Sequence, residues 1–229
     1  MKDIKVIVFD ADDTLWDCQS WFDEVERQCC DLLKPWATPR EVSEGLYATE
    51  HRNLPLTGYG TKAFTLSLIE NAIQLSKGQL TGNDVMHLID MGKSLLRFPT
   101  TPLPEVKETL EALSQSRRFR LVVFTKGELM DQEDKLRRSG LEPYFSHMET
   151  VSTKTEREYR QLCENLGVAP EQTLMVGNSF RSDIAPALSA GAWAAHIPYH
   201  VVWALEQSEE YPHERLHKLA HFHDILSLV

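Results

Sequence analysis

The chain has 229 residues, 42% hydrophobic and 25% charged, a composition that fits one large globular domain or a domain carrying an insertion. Lys and Arg number 24 against 34 Asp and Glu, and the formal charge of −10 argues against nucleic-acid backbones and anionic membrane surfaces as partners. An anionic substrate would need local cations, from side chains or a metal. The four cysteines show no disulfide or zinc spacing. The opening MKDIKVIVFD is too short and too acidic for a signal peptide or a membrane span, so a reduced cytoplasmic protein is expected.

Residues 4–9 form the first predicted strand, and an acidic stretch follows it, VFDADDTLWD at 8–17. Residues ~17–100 hold no convincing strand pattern. They predict helices near 20–33, 39–52, 62–75 and 83–96, separated by Pro35, Pro55, Gly58, Gly60, Gly78 and Gly82, which together would make a small bundle. Beyond the bundle, short apolar runs at 120–124, 145–150, 173–176 and 192–197 alternate with helical patterns at 104–114, 128–139, 156–166 and 182–189. Gly140, Gly167 and Gly191 stand where three of these helices should stop. Alternation at this spacing predicts an α/β fold, a doubly wound (Rossmann-like) parallel sheet core with an inserted α-helical cap domain. The expected division is 1–16 with 101–229 for the core and 17–100 for the cap. Near the C-terminus, His213, His217 and His221 have the i, i+4, i+8 spacing of one helical face, read as a solvated face rather than a metal site.

Ligands of such sheets bind beyond the carboxyl ends of the strands. Asp10 and Asp12 lie at that end of the first strand. In extended backbone their side chains would share one side, and a hard divalent cation between them would relieve their repulsion. Asp13 and Asp17 read as ordinary acidic turn residues. The second strand, in LVVFTKG, ends in Thr125, either a helix N-cap or a holder of phosphate oxygens. Lys154 follows the third strand, where an ammonium can neutralise phosphate. TLMVGNSFRSD brings Gly177, Asn178 and Asp183 to the end of the fourth, and Asp183 could cap a helix or complete a metal site.

The set DADDT (10–14), VVFT (122–125), Lys154 and GNSFRSD (177–183) resembles the four motifs of the haloacid dehalogenase-like hydrolase superfamily, and the 17–100 insertion resembles its helical cap of the first type. The resemblance implies Asp10 as a nucleophile that forms an aspartyl-phosphate, and Asp12 as the acid and base serving leaving oxygen and water. It implies Thr125, Lys126 and Lys154 as phosphate-binding residues, with Thr14 and Asn178 in support. Mg2+ would be held by Asp10, by Asp12 through its backbone carbonyl, and by Asp183. Where the family often has Gly-Asp, this chain has Gly177-Asn178, which moves the direct acidic contact to Asp183.

Dehalogenases of the superfamily lack the second aspartate of the first motif, so Asp12 favours a Mg-dependent phosphatase over halide displacement. A phosphomutase needs the same residues and stays open. Non-catalytic phospho-accepting or ligand-binding proteins on a related sheet form a further alternative. Specificity is expected from the cap, where LTGYGTKAF (56–64) offers Gly60 and Lys62 as substrate contacts, or else a plain interhelical turn. The expected partner is a small phosphorylated metabolite, with a phosphoprotein substrate left open, no nucleic acid and no membrane, and the protein a monomer or homodimer.

Overall fold

The computed structural model describes residues 3–229. The chain folds into two compact units, one made of Met1–Cys18 with Thr100–Val229 and the other of Gln19–Pro99.

The first unit is built on β1 (Val6–Phe9), every residue of which is buried. The chain leaves this unit for four helices of the second, α1 (Gln19–Leu33), α2 (Pro39–Thr57), α3 (Thr61–Leu75) and α4 (Gly82–Leu95). On return it forms α5 (Val106–Ser116), β2 (Arg120–Lys126), α6 (Leu129–Ser139), β3 (His147–Val151), α7 (Glu156–Leu166) and β4 (Thr173–Gly177). A single π-helical turn, Phe180–Ile184, runs into α8 (Ala185–Ala190), followed by β5 (Trp193–His196), β6 (Leu216–Lys218) and the short α9 (Ile225–Leu228).

Among the described residues the sheet has six strands in the order β3-β2-β1-β4-β5-β6. Each neighbouring pair is parallel. Burial on both faces explains why β1, β2 and β4 read as continuous apolar runs in the sequence. Helices α6, α7 and α8 end on Gly140, Gly167 and Gly191, all with left-handed backbone, so those glycines stop helices as their positions predict.

The C-terminal part departs from the sequence reading. Leu216–Lys218 is a sixth strand paired with β5, so His213, His217 and His221 do not share a helical face. His217 stacks against Trp193 of β5, while His221 precedes a 3-10 turn at Phe222–Asp224. A three-residue edge strand is too short to announce itself by alternation.

In the second unit, Val25, Cys29, Leu33, Val42, Leu46, Leu68, Leu88 and Leu95 form a buried core contributed by all four helices. Reciprocal capping boxes, Thr38 with Glu41 and Thr81 with Asp84, begin α2 and α4. Among the described residues, no helix is long and apolar enough to cross a membrane.

Candidate active site

The register places Phe9 opposite Val123 on one side and Val176 on the other. Asp10, the next residue, therefore emerges between the carboxyl ends of β2 and β4. The chain turns at once: Thr14 and Leu15 both donate their amides to the Ala11 carbonyl, and Asp13 has φ of 62°. This turn separates the two aspartates that an extended chain would have aimed to one side. Asp10 and Asp12 face different partners.

Asp10 belongs to a buried charged triad. Lys154 Nζ lies 2.5 Å from Asp10 Oδ1 and 2.6 Å from Asp183 Oδ1. All three residues are at most 8% exposed. Burial, then the neighbouring Asp183, pushes the Asp10 carboxyl up to about 7 despite the lysine. Burial opposes the charge on Lys154 too, but the two carboxylates hold its pKa at about 12. The Thr14 hydroxyl lies 3.1 Å from both Asp10 Oδ2 and Asn178 Oδ1 and accepts the Asn178 amide, tying the first loop to the end of β4.

Asp183 is aimed by the π-helical turn, where its Oδ2 accepts the Ser179 amide at 3.0 Å. Ser179 is the N-cap of that turn, so Asp183 does not cap it but reaches back to the cap residue's amide and faces Lys154 with its other oxygen. Gly177 makes this possible, because a Cβ at that position would collide with the Asp183 carboxylate.

Asp12 has a separate set of donors. Its carboxylate accepts from the Trp16 indole and from Gln132 Nε2, each at 2.8 Å, and from Lys135 Nζ at 3.1 and 3.2 Å. Burial alone would raise its pKa, but Lys135 and these hydrogen bonds together carry it below the ordinary carboxylate range. Asp12 is held here as the ion, the form that accepts a proton. To donate one it must leave Lys135.

The remaining candidates divide between places. Thr125 is buried at the end of β2 and donates to the Lys126 carbonyl at 3.3 Å. Helix α6 starts only at Leu129 with Glu128 as its N-cap, so Thr125 does not cap it. Lys126 is ion-paired with Glu206 and donates to Ser182 Oγ at 2.7 Å, while burial depresses its pKa. Gly60, with φ of 119°, is the N-cap of α3, and Lys62 lies in the first turn of that helix, in the other unit.

The haloacid dehalogenase-like hydrolase family model matches residues 4–191. The chain is a haloacid dehalogenase-like hydrolase. Its relatives include a glyceraldehyde 3-phosphate phosphatase of Methanothermobacter thermautotrophicus, 27% identical over 206 residues, or 82% of this chain and 83% of that one. Among solved structures, a haloacid dehalogenase-like family hydrolase from Xanthomonas campestris is 32% identical with a TM-score of 0.85, over 95% of this chain and 87% of that one. A 2-haloacid dehalogenase from Pseudomonas syringae shares the fold, with a TM-score of 0.66 at 23% identity over 98% of this chain and 97% of that one.

The donors of this hydrolase fit a hard divalent cation. Asp10 and Asp183 supply buried oxygens that share one lysine, Asn178 supplies an amide oxygen bridged to Asp10 through Thr14, and the raised pKa of Asp10 reflects burial first and the neighbouring Asp183 second, both of which a cation would offset.

Lys135, Gln132, Trp16 and Glu206 escaped the sequence reading. Asp131, Gln132 and Lys135 are buried on α6 although they are polar, and i, i+4 spacing pairs Asp131 with Lys135. That spacing is visible in the sequence, but nothing there says that this face of the helix turns inward. Glu206 follows a long loop after β5, and its tie to Lys126 spans 80 positions.

Proposed function

We propose that this hydrolase is a Mg-dependent phosphatase acting on a small phosphomonoester through an aspartyl-phosphate formed on Asp10. The observation that carries the reading is the buried Asp10–Lys154–Asp183 triad at the carboxyl edge of the sheet. A Mg2+ ion held by Asp10, the Asp12 carbonyl and Asp183 would offset phosphoryl charge and align it for in-line attack.

Lys154 keeps Asp10 anchored and can hold a phosphoryl oxygen beside it, as can Thr125 at the end of β2. In the first step an Asp10 oxygen bonds to phosphorus while the ester P–O bond breaks, and the leaving oxygen takes up a proton. In the second, water attacks the phosphorus of the acyl phosphate, Asp12 accepts the water's proton, and the Asp10 carboxylate is regenerated with release of phosphate. The ionised state of Asp12 suits the second step directly. In the first, a protonated Asp12 released from Lys135 would supply the leaving oxygen's proton. The presence of Asp12 with donors of its own supports ester hydrolysis over halide displacement, which needs no such group. The phosphatase relative supports a small phosphorylated metabolite as substrate, and Gly60 and Lys62 are proposed substrate contacts.

Phosphate release from p-nitrophenyl phosphate and from a panel of phosphorylated metabolites, with and without Mg2+, tests this reading. Hydrolysis that requires Mg2+ and falls to background in Asp10→Asn is expected. Activity that survives Asp10→Asn removes it as nucleophile, and a metal-loaded enzyme inert towards every ester removes the reaction.

A further inference from the structure

Glu105, His221 and His223 come together on the sheet unit, remote in sequence from the four motifs. One ligand atom from each lies within 4.8 Å of the other two. His223 Nδ1 is 3.0 Å from Glu105 Oε2 and His221 Nδ1 is 3.7 Å from Glu105 Oε1, so both imidazoles turn the same kind of nitrogen toward one carboxylate. The two rings stack with centroids 5.5 Å apart. Glu105 is the N-cap of α5, whereas the histidines flank Phe222 in the C-terminal 3-10 turn. Phe222 itself is buried, and its ring stacks on Phe9 of β1 at 5.9 Å. The side chains of Glu105, His221 and His223 are 36%, 62% and 54% exposed, leaving room for water ligands and an open path for an ion. An adjoining cleft is lined by Glu105, Glu108, Thr109, His223 and Leu226.

We propose that Glu105, His221 and His223 form a second metal site, a clamp for a borderline transition-metal ion such as Zn2+ that ties the C-terminal segment to the start of α5. Two imidazoles and one carboxylate are the donors that Zn2+, Ni2+ or Cu2+ prefers, with water completing the shell. The all-oxygen set around Asp10 suits Mg2+ instead, so the two sites discriminate between ions by donor chemistry. A small movement of the exposed His221 side chain and the half-buried Glu105 carboxylate closes the present spacing to that of ligands around one ion. The clamp fastens the segment that carries Phe222, and through it the residue that precedes Asp10. The site stands on its own geometry and does not depend on the phosphatase reading.

The test is Zn2+ binding to metal-stripped protein, with Mg2+ in large excess to cover the carboxylate site. It is followed by calorimetry and by metal content after gel filtration, with the absorption bands of bound Co2+ reporting imidazole ligation. One equivalent of Zn2+ is expected, with affinity lowered at least about tenfold in His223→Ala and in Glu105→Gln. His223 is exposed and Glu105 half-buried, and circular dichroism should show the variants folded. If a His221→Ala/His223→Ala variant takes up Zn2+ as the parent does, or if the parent takes up none, the proposal fails.

Discussion

Lys135 is the side chain on which the resting position of Asp12 depends. It is 2% exposed and faces Asp12 at 3.1 Å and Asp131 at 3.3 Å, one cation against two carboxylates. Breaking a buried pair by removing one partner leaves an uncompensated charge, a loss of about 3–5 kcal/mol. Lys135→Met should therefore destabilise the protein by roughly that amount, read as a lowered urea midpoint with unchanged slope. Adding Asp131→Asn should restore part of the loss, because the two substitutions share one network. Gly177 makes a different kind of demand. Its methyl in Gly177→Ala would collide with the Asp183 carboxylate, so either that carboxylate or β4 must shift. The cost expected is about 1–3 kcal/mol, together with a phosphatase kcat that falls further than stability alone explains. A kcat equal to the parent's would show that Asp183 tolerates displacement.

At the scale of elements, most of the architecture could be read from the chain because each unit buries its residues in a regular way. Strands β1, β2 and β4, covered on both faces, read as unbroken apolar runs, and α1 to α4 carry the long periodicity of helices sharing one core. The first loop and the Gly177–Asp183 stretch stood out because acids and hydroxyls directly follow apolar strands. What escaped had no local signature. Edge strand β6 is three residues long, the π-helical turn that aims Asp183 reads as plain helix, and the inward polar face of α6 looks like a solvated one. Asp13 reads as a turn residue, but the parting of Asp10 from Asp12 was missed, since it rests on a left-handed Asp13, and aspartate tolerates that conformation without advertising it. Capping, by contrast, is written in the sequence. Thr81→Ala removes the side chain that accepts the Asp84 amide at 3.2 Å, and should lower stability by about 1 kcal/mol by chemical denaturation. Burial makes Leu88→Ala far more damaging in the same helix, at about 2–5 kcal/mol.

For the whole molecule, the triad makes stability depend on pH and on metal together. In the fold Asp10 holds its proton up to about 7, against a value of 3.8 for a free carboxyl. Between those values the unfolded chain has released a proton that the folded one keeps, so the folded state loses stability as pH rises from about 4 to about 7. Above that range the ionised Asp10 is a standing cost to the metal-free protein. Asp10→Asn removes the charge, although Lys154 then keeps only Asp183 as its carboxylate partner, which offsets part of the gain. The metal-free variant should thus be more stable than the parent at pH 8, by about 1–2 kcal/mol, with the gap closing as pH falls toward 4. Added Mg2+ should reverse the order at pH 8, because it binds the native state of the parent through the carboxylate that the variant lacks. Thermal melts of the two proteins at pH 8 and pH 5, with and without Mg2+, check both halves. A variant less stable than the parent at pH 8 without metal would mean that Lys154 already satisfies Asp10, and that the cluster has no unbalanced charge for a cation to relieve.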